Sequence, residues 1–73
     1  MVKPTRVTNS IRALRTARGD LTQAELAERI GVTRQTVIAI EQGRYSPTLE
    51  LAFKIARVLE VPLDDVFHYP EES

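Results

Sequence analysis

The chain has 73 residues, of which 42% are hydrophobic and 27% are charged, as is typical of a small globular protein. It contains no cysteine, which excludes disulfide bonds, thiol catalysis and zinc–thiolate sites. No apolar run approaches the roughly 18 residues of a membrane span. We therefore expect one cytoplasmic domain over residues 1–73, with no membrane partner.

The formal net charge is zero, but the charges are separated along the sequence. Residues 1–18 carry five basic side chains and no acid, whereas residues 46–73 carry six acidic and two basic ones. A locally positive segment can attract phosphate although the total charge is zero. The pattern permits nucleic-acid binding without requiring it.

The first 18 residues predict an arm and a helix. Residues 1–7 form a short extended arm, because Pro4 disfavours a helix there. Thr8 or Asn9 can cap a first helix that runs to about Arg18.

Two short amphipathic helices with a tight turn follow. Thr22 and Glu25 have the spacing of a capping box, which predicts that the second helix starts at Gln23. Gly31 can adopt the left-handed conformation that ends this helix, and Thr33 can cap a third helix reaching about residue 42. This arrangement is typical of a helix-turn-helix, which binds DNA through the exposed side of its second helix.

The remaining sequence predicts two more helices and a terminal strand. Residues 49–59 are apolar on most sides, and residues 63–66 suffice for one further turn. Phe67–Pro70 alternates as a strand does, and residues 70–73 are expected to fray. The predicted fold class is all-α, with five helices and room for a short terminal two-stranded β pairing. The inward stripe of the fourth helix is predicted to be Leu49, Ala52, Ile55, Ala56 and Leu59.

Residues 21–67, from LTQAELAERIGVTRQTVIAIEQ to the PLDDVF ending, resemble the XRE-type, lambda-repressor-like helix-turn-helix domain. The similarity is greatest to small stand-alone repressors of the cytolysin-repressor type, which share the RQT start of the third helix. The resemblance implies a five-helix DNA-binding domain with the helix-turn-helix at helices two and three.

The resemblance also implies which residues face DNA. Those expected to contact bases are Arg34, Gln35, Thr36 and Ile38. Those expected to contact the DNA backbone are Gln23, Thr33, Gln42, Arg44, Tyr45 and Ser46. Arginine can pair with guanine, glutamine with adenine, and a threonine methyl group with thymine. Ile38 stands where larger members often carry a polar residue, so it contacts either a thymine methyl group or the sugar-phosphate wall.

Other charged residues have structural interpretations. The resemblance implies that Arg15 pairs with Glu41 and ties helix one to helix three, although Arg15 could also reach phosphate. Arg12 and Arg18 are interpreted as solvated surface residues. His68, the only histidine, has no carboxylates arranged with it as a metal site or catalytic triad, so we expect neither a metal nor an enzyme.

An apolar cluster near the end of the chain either closes the bottom of the domain or also forms a two-fold interface. We favour the second interpretation, with the terminal arm pairing to the strand of residues 67–69. A dimer would place two recognition helices about 34 Å apart, one turn of DNA. The expected interface residues are Val61, Leu63, Val66, Phe67 and Tyr69.

These features predict a sequence-specific, homodimeric DNA-binding transcriptional regulator, a repressor of a short palindromic operator on double-stranded DNA. No cofactor is expected. Two alternatives stay open. One is an antitoxin-like DNA-binding protein controlled by a second polypeptide, and the other is a helix-turn-helix used only as a protein-interaction adaptor.

Overall fold

The computed structural model describes residues 6–44 and 46–70. Its elements in chain order are β1 (Thr8–Asn9), α1 (Ile11–Ala17), α2 (Gln23–Ile30), α3 (Arg34–Glu41), α4 (Leu49–Leu59), α5 (Leu63–Val66) and β2 (Phe67–His68). The five helices and the terminal strand pair agree with the predicted fold class. Within this part of the chain, no helix is long and apolar enough to cross a membrane.

Side-chain caps set the starts of the three central helices. The Thr22 hydroxyl accepts from Glu25 N–H at 3.0 Å, and Thr22 N–H donates to the Glu25 carboxylate at 2.9 Å, which is the predicted capping box. Thr33 and Thr48 cap α3 and α4 through their hydroxyls. Gly31 ends α2 at φ 78°, in the left-handed region that favours glycine.

The start of α1 differs from the prediction. Thr8 and Asn9 lie in β1, and the helix begins two residues after Asn9. The side chain of Asn9 still accepts from Ile11 N–H, at 3.2 Å, while its amide donates to the Ile40 carbonyl at 2.9 Å. Asn9 therefore joins the start of α1 to the end of α3.

The two short strands join the ends of the described chain. β1 and β2 are antiparallel, with Thr8 opposite His68 and Asn9 opposite Phe67. The sequence analysis expected the arm of residues 1–7 to pair with this strand across a dimer. In the structure the pairing strand is residues 8–9, which follow that arm and belong to the same chain. Residues 1–5 of that arm, and residues 71–73 of the predicted frayed tail, lie outside the described residues.

One side of every helix packs into a single core. The fully buried large side chains come from α1 to α5 and are Ile11, Leu26, Val37, Ile40, Ile55, Leu59 and Val66. Small alanines, including Ala27 of α2 and Ala56 of α4, are also buried in this cluster.

The predicted inward stripe of α4 is wrong at its first member. Leu49 is 66% exposed, and Phe53 of the same helix is 51% exposed. The buried side chains of α4 are Ala52, Ile55, Ala56 and Leu59. At 100° per residue, Phe53 is turned about 110° from the centre of that stripe, whereas Leu49 lies within about 20° of Ala56 and is exposed as the first residue of the helix. Helical periodicity predicts which residues share a side of the helix, but it does not show whether the core extends to the first residue of that helix.

The capping box makes part of the folding free energy depend on pH. The hydrogen bond from Thr22 N–H, followed by that from the Thr22 hydroxyl, lowers the pKa of the Glu25 carboxyl below its ordinary 4.5. Because the folded-state pKa is the lower one, this contribution is present above pH about 4.5 and is lost as pH falls through the folded value.

We therefore expect wild type to be more stable than Glu25→Gln at pH 7, with the difference closing on acidification. Urea unfolding of both proteins between pH 7 and pH 3 measures this difference. A difference that stays constant over that range would show that the charge of Glu25 contributes nothing.

Candidate nucleic-acid interface

Helix α3 has a buried side and an accessible side. Val37 and Ile40 are buried against the rest of the domain. Arg34 and Gln35 are exposed at the start of the helix, and Ile38 is half-buried one turn further on. The predicted base-contacting residues thus lie on the part of α3 that another molecule can reach.

The hydroxyl groups at the start of α3 already take part in hydrogen bonds within that segment. Thr33 Oγ1 accepts from Thr36 N–H at 3.2 Å and lies 3.1 Å from Thr36 Oγ1. Both side chains therefore already have partners within the helix, and Thr36 is half-buried. The backbone N–H groups of the first turn, together with the helix dipole, make this end of α3 suitable for a phosphate.

A polar network fixes α1, α2 and α3 relative to one another. Arg15 Nε donates to Glu41 Oε2 at 2.7 Å, and Arg15 Nη2 donates to Glu41 Oε1 at 3.2 Å. The Arg15–Glu41 pair that the resemblance implied is present, with side chains only 13% and 9% exposed. Arg15 Nη1 also donates to the Leu21 carbonyl at 2.8 Å.

Gln23 is a member of this network that the sequence did not indicate. Its side-chain amide donates to Glu41 Oε1 at 3.1 Å. The contact joins residues 18 positions apart in sequence, so no local pattern could have revealed it. As the first residue of α2, Gln23 is thereby placed beside α3, where a DNA-backbone contact was predicted.

The loop after α3 presents the remaining predicted backbone contacts. Gln42, Arg44 and Ser46 are exposed, and Arg44 N–H donates to the Ala39 carbonyl at 3.0 Å. Tyr45 lies outside the described residues.

The predicted dimer residues differ in how exposed they are. Val66 is fully buried within the chain and offers no surface to a partner, so its assignment to an interface is withdrawn. Val61, Leu63 and Phe67 are half-buried against the core. Tyr69 is 61% exposed, and the Arg6 guanidinium lies 5.7 Å from its ring centroid.

His68 contacts a hydroxyl rather than an acid. Its Nε2 lies 3.1 Å from Ser10 Oγ at the exposed edge of the strand pair. Among the residues that the structure describes, no group of three or more histidine, cysteine or carboxylate side chains could hold a metal ion. The sequence predicted a strand at residues 67–70, and His68 lies in β2.

Comparison with known proteins agrees with this geometry. A family model described as helix-turn-helix matches residues 11–66. An uncharacterized HTH-type transcriptional regulator of Methanocaldococcus jannaschii is 53% identical over 54 residues, covering 74% of this chain and 82% of that protein.

Two further relatives have more specific names. The cryptic phage CTXphi transcriptional repressor RstR of Vibrio cholerae is 43% identical over 58 residues, which are 80% of this chain and 51% of RstR. The crystal structure of the restriction-modification controller protein C.AhdI from Aeromonas hydrophila superposes with a TM-score of 0.68 at 34% identity. The superposition covers 75% of this chain and 78% of that one. The capped α2–Gly31–α3 unit and these matches together show that the chain belongs to the XRE-type helix-turn-helix family.

Proposed function

We propose that this protein is a homodimeric, sequence-specific DNA-binding repressor that acts on a short palindromic operator in the cytoplasm and catalyses no reaction. The observation that carries the proposal is α3, whose apolar side is buried while Arg34 and Gln35 stand exposed at its start. A helix of this kind fits the major groove of B-DNA, which is about 12 Å wide.

The proposed base contacts follow from the side chains of α3. Arg34 can donate two hydrogen bonds to guanine, and Gln35 can both donate to and accept from adenine. Thr36 has its hydroxyl near that of Thr33, so its methyl group is the part available to thymine. Ile38 adds an apolar contact to a thymine methyl group.

The proposed backbone contacts surround α3 on two sides. Gln23 approaches from the start of α2, and Thr33 contributes the amino end of α3 itself. Gln42, Arg44, Tyr45 and Ser46 would contact a phosphate from the loop that follows. Such contacts fix position and orientation on the duplex without distinguishing base pairs.

The proposed dimer uses the carboxyl-terminal edge of the domain. Val61, Leu63, Phe67 and Tyr69 provide its apolar surface, with Tyr69 the most exposed of the four. A two-fold pair places the two copies of α3 one helical turn of DNA apart and links two weak half-site contacts into one stronger interaction.

Selection of bound sequences from a random duplex library, at two salt concentrations, tests the proposal. We expect an inverted repeat whose half-sites are about 34 Å apart, together with a dimer by sedimentation at micromolar concentration. A lone half-site with a species of only 8.2 kDa would contradict the dimer. Weak binding without any motif would contradict sequence-specific recognition and favour a protein-interaction adaptor or a missing partner protein.

A further inference from the structure

A shallow groove lies between α2 and α4, and we call it the α2–α4 groove. It has a volume of about 390 Å³. Its lining comes from the end of α2 and from the middle and end of α4, and includes Glu28, Arg29, Ile30, Lys54, Arg57 and Val58. None of its lining residues belongs to α3 or to the loop after α3, so the groove is separate from the proposed DNA contacts.

The α2–α4 groove carries a local excess of positive charge. Arg29, Lys54 and Arg57 are all exposed, and Glu28 is the only carboxylate among the described residues that line it. Three cations against one carboxylate leave an excess of two positive charges, although the whole chain has a formal net charge of zero. Lys54 lies 3.7 Å from the carboxylate of Glu50 on its own helix, so its charge is partly balanced.

The two arginines of the groove are not balanced in this way. Glu60, three residues after Arg57, pairs with Arg18 instead. The carboxylate of Glu25, four residues before Arg29, is held by the capping box at the start of α2. In the part of the chain that the structure describes, neither Arg29 nor Arg57 forms an ion pair. Both guanidinium groups are therefore available to an anionic partner.

Apolar side chains also line the groove. Ile30 is buried beneath it, and Val58 is half-buried and packs against the core. Lys54 and Val58 are four residues apart and therefore share one side of α4. A ligand in the groove thus meets cations from both helices together with a small apolar surface.

Helix dipoles explain only part of this charge. A cation in the last turn of a helix stabilises that helix whatever lies outside it, and Arg29 and Arg57 both occupy such positions. Lys54 lies in the middle of α4, where the dipole contributes little. The packing of α2 against α4 is what brings the three cations to one groove.

We propose that the α2–α4 groove binds an acidic peptide segment of a partner protein. Its carboxylates would contact Arg29, Lys54 and Arg57, and an apolar side chain would contact Val58. A shallow groove with exposed charged walls suits a peptide segment, because small-molecule sites usually enclose most of the ligand surface. The inference goes beyond the proposed DNA binding, and since the two surfaces share no residue, both ligands can be bound at once.

A synthetic peptide of glutamate with interspersed leucine, labelled with fluorescein, is the probe for this groove. Fluorescence anisotropy measures its affinity for the full chain, and amide chemical shifts of the wild-type protein locate the contact. We expect shift changes at the end of α2 and along α4, with α3 unaffected. Binding should weaken as salt rises, because exposed charges are screened. A peptide with lysine in place of each glutamate should not bind.

Arg57→Glu and Arg12→Glu form a matched pair of variants. Both change the net charge by the same amount, but Arg12 is an exposed residue of α1 that does not line the groove. Arg57→Glu should weaken peptide binding by about tenfold, because an exposed attraction becomes a repulsion. Arg12→Glu should retain the wild-type affinity. Circular dichroism checks that both variants are folded, and the shift changes in wild type locate the site without any substitution.

Several results would overturn the proposal. These are no binding of the acidic peptide by wild type, shift changes centred on α1 or α3, or equal losses for Arg57→Glu and Arg12→Glu. Displacement of the bound peptide by a DNA duplex would assign the groove to nucleic acid instead. The selection from a duplex library tests the proposed DNA binding separately, so failure of one proposal is distinguishable from failure of the other.

Discussion

Replacement of Arg34 by alanine should abolish most discrimination at one base pair of each half-site. Arg34 is exposed at the first position of α3, so its removal leaves the core intact. A bidentate arginine–guanine contact is worth about 1–3 kcal/mol of discrimination. Since about 1.4 kcal/mol is tenfold, the preferred base should lose roughly 5-fold to 150-fold of its advantage.

Arg44→Ala is the matched control for this prediction. Arg44 is also an exposed arginine, but it lies in the loop after α3, where we propose a phosphate contact. Its removal should weaken binding to all sequences about equally and lower the salt dependence. Competition binding against a set of single-base operator variants measures both effects. If the two variants changed base preference in the same way, the proposed division between base and backbone contacts would be wrong.

Replacement of Glu41 by alanine should be among the most destabilising single changes in the chain. The carboxylate accepts from Arg15 and Gln23, and its side chain is only 9% exposed. Its loss leaves a nearly buried guanidinium without its counter-ion, at a cost of about 3 kcal/mol. A domain of this size has a free energy of unfolding of roughly 4–11 kcal/mol, so the loss is a large fraction of the total.

Thermal unfolding measures this cost, and a double-mutant cycle isolates its cause. The expected decrease in Tm is about 12–24 °C, because 1 kcal/mol corresponds to about 4–8 °C in a domain of this length. The double variant with both Arg15→Ala and Glu41→Ala should lose much less free energy of unfolding than the sum of the two single losses. The reason is that the double variant leaves no unpaired charge at this position. Additive effects within about 0.5 kcal/mol would show that the pair is not coupled.

Local sequence rules predicted the helix-turn-helix closely. Thr22 and Glu25 are three residues apart, so their hydrogen bonds form within a single turn and depend on little else. Gly31 needs only its own backbone freedom to adopt φ 78°. For α4 the same rules predicted four of the five residues of the inward stripe, but the exposure of Leu49 depends on how far the core extends along that helix.

The sequence predicted the site as a set of separate residues. The structure shows the hydrogen bonds that connect the helices carrying them. The resemblance pointed to Arg15 with Glu41, and the fold shows that Gln23 completes the network. It also separates Arg12 from Arg18, which are alike in sequence. Arg18 pairs with Glu60, whereas Arg12 forms no ion pair with any residue that the structure describes.

The five helices, the caps of α2 and α3 and the helix-turn-helix class could all be predicted from the amino-acid sequence. Each of these depends on side chains within one or two helical turns, or on a motif that is contiguous in the chain. The β1–β2 pairing, the burial of Val66 and the Gln23–Glu41 hydrogen bond depend instead on how distant segments pack together. Thr8 donates to the His68 carbonyl across 60 residues of sequence. The relative placement of such residues is fixed by the packing of all five helices around one core, and no local segment contains that information.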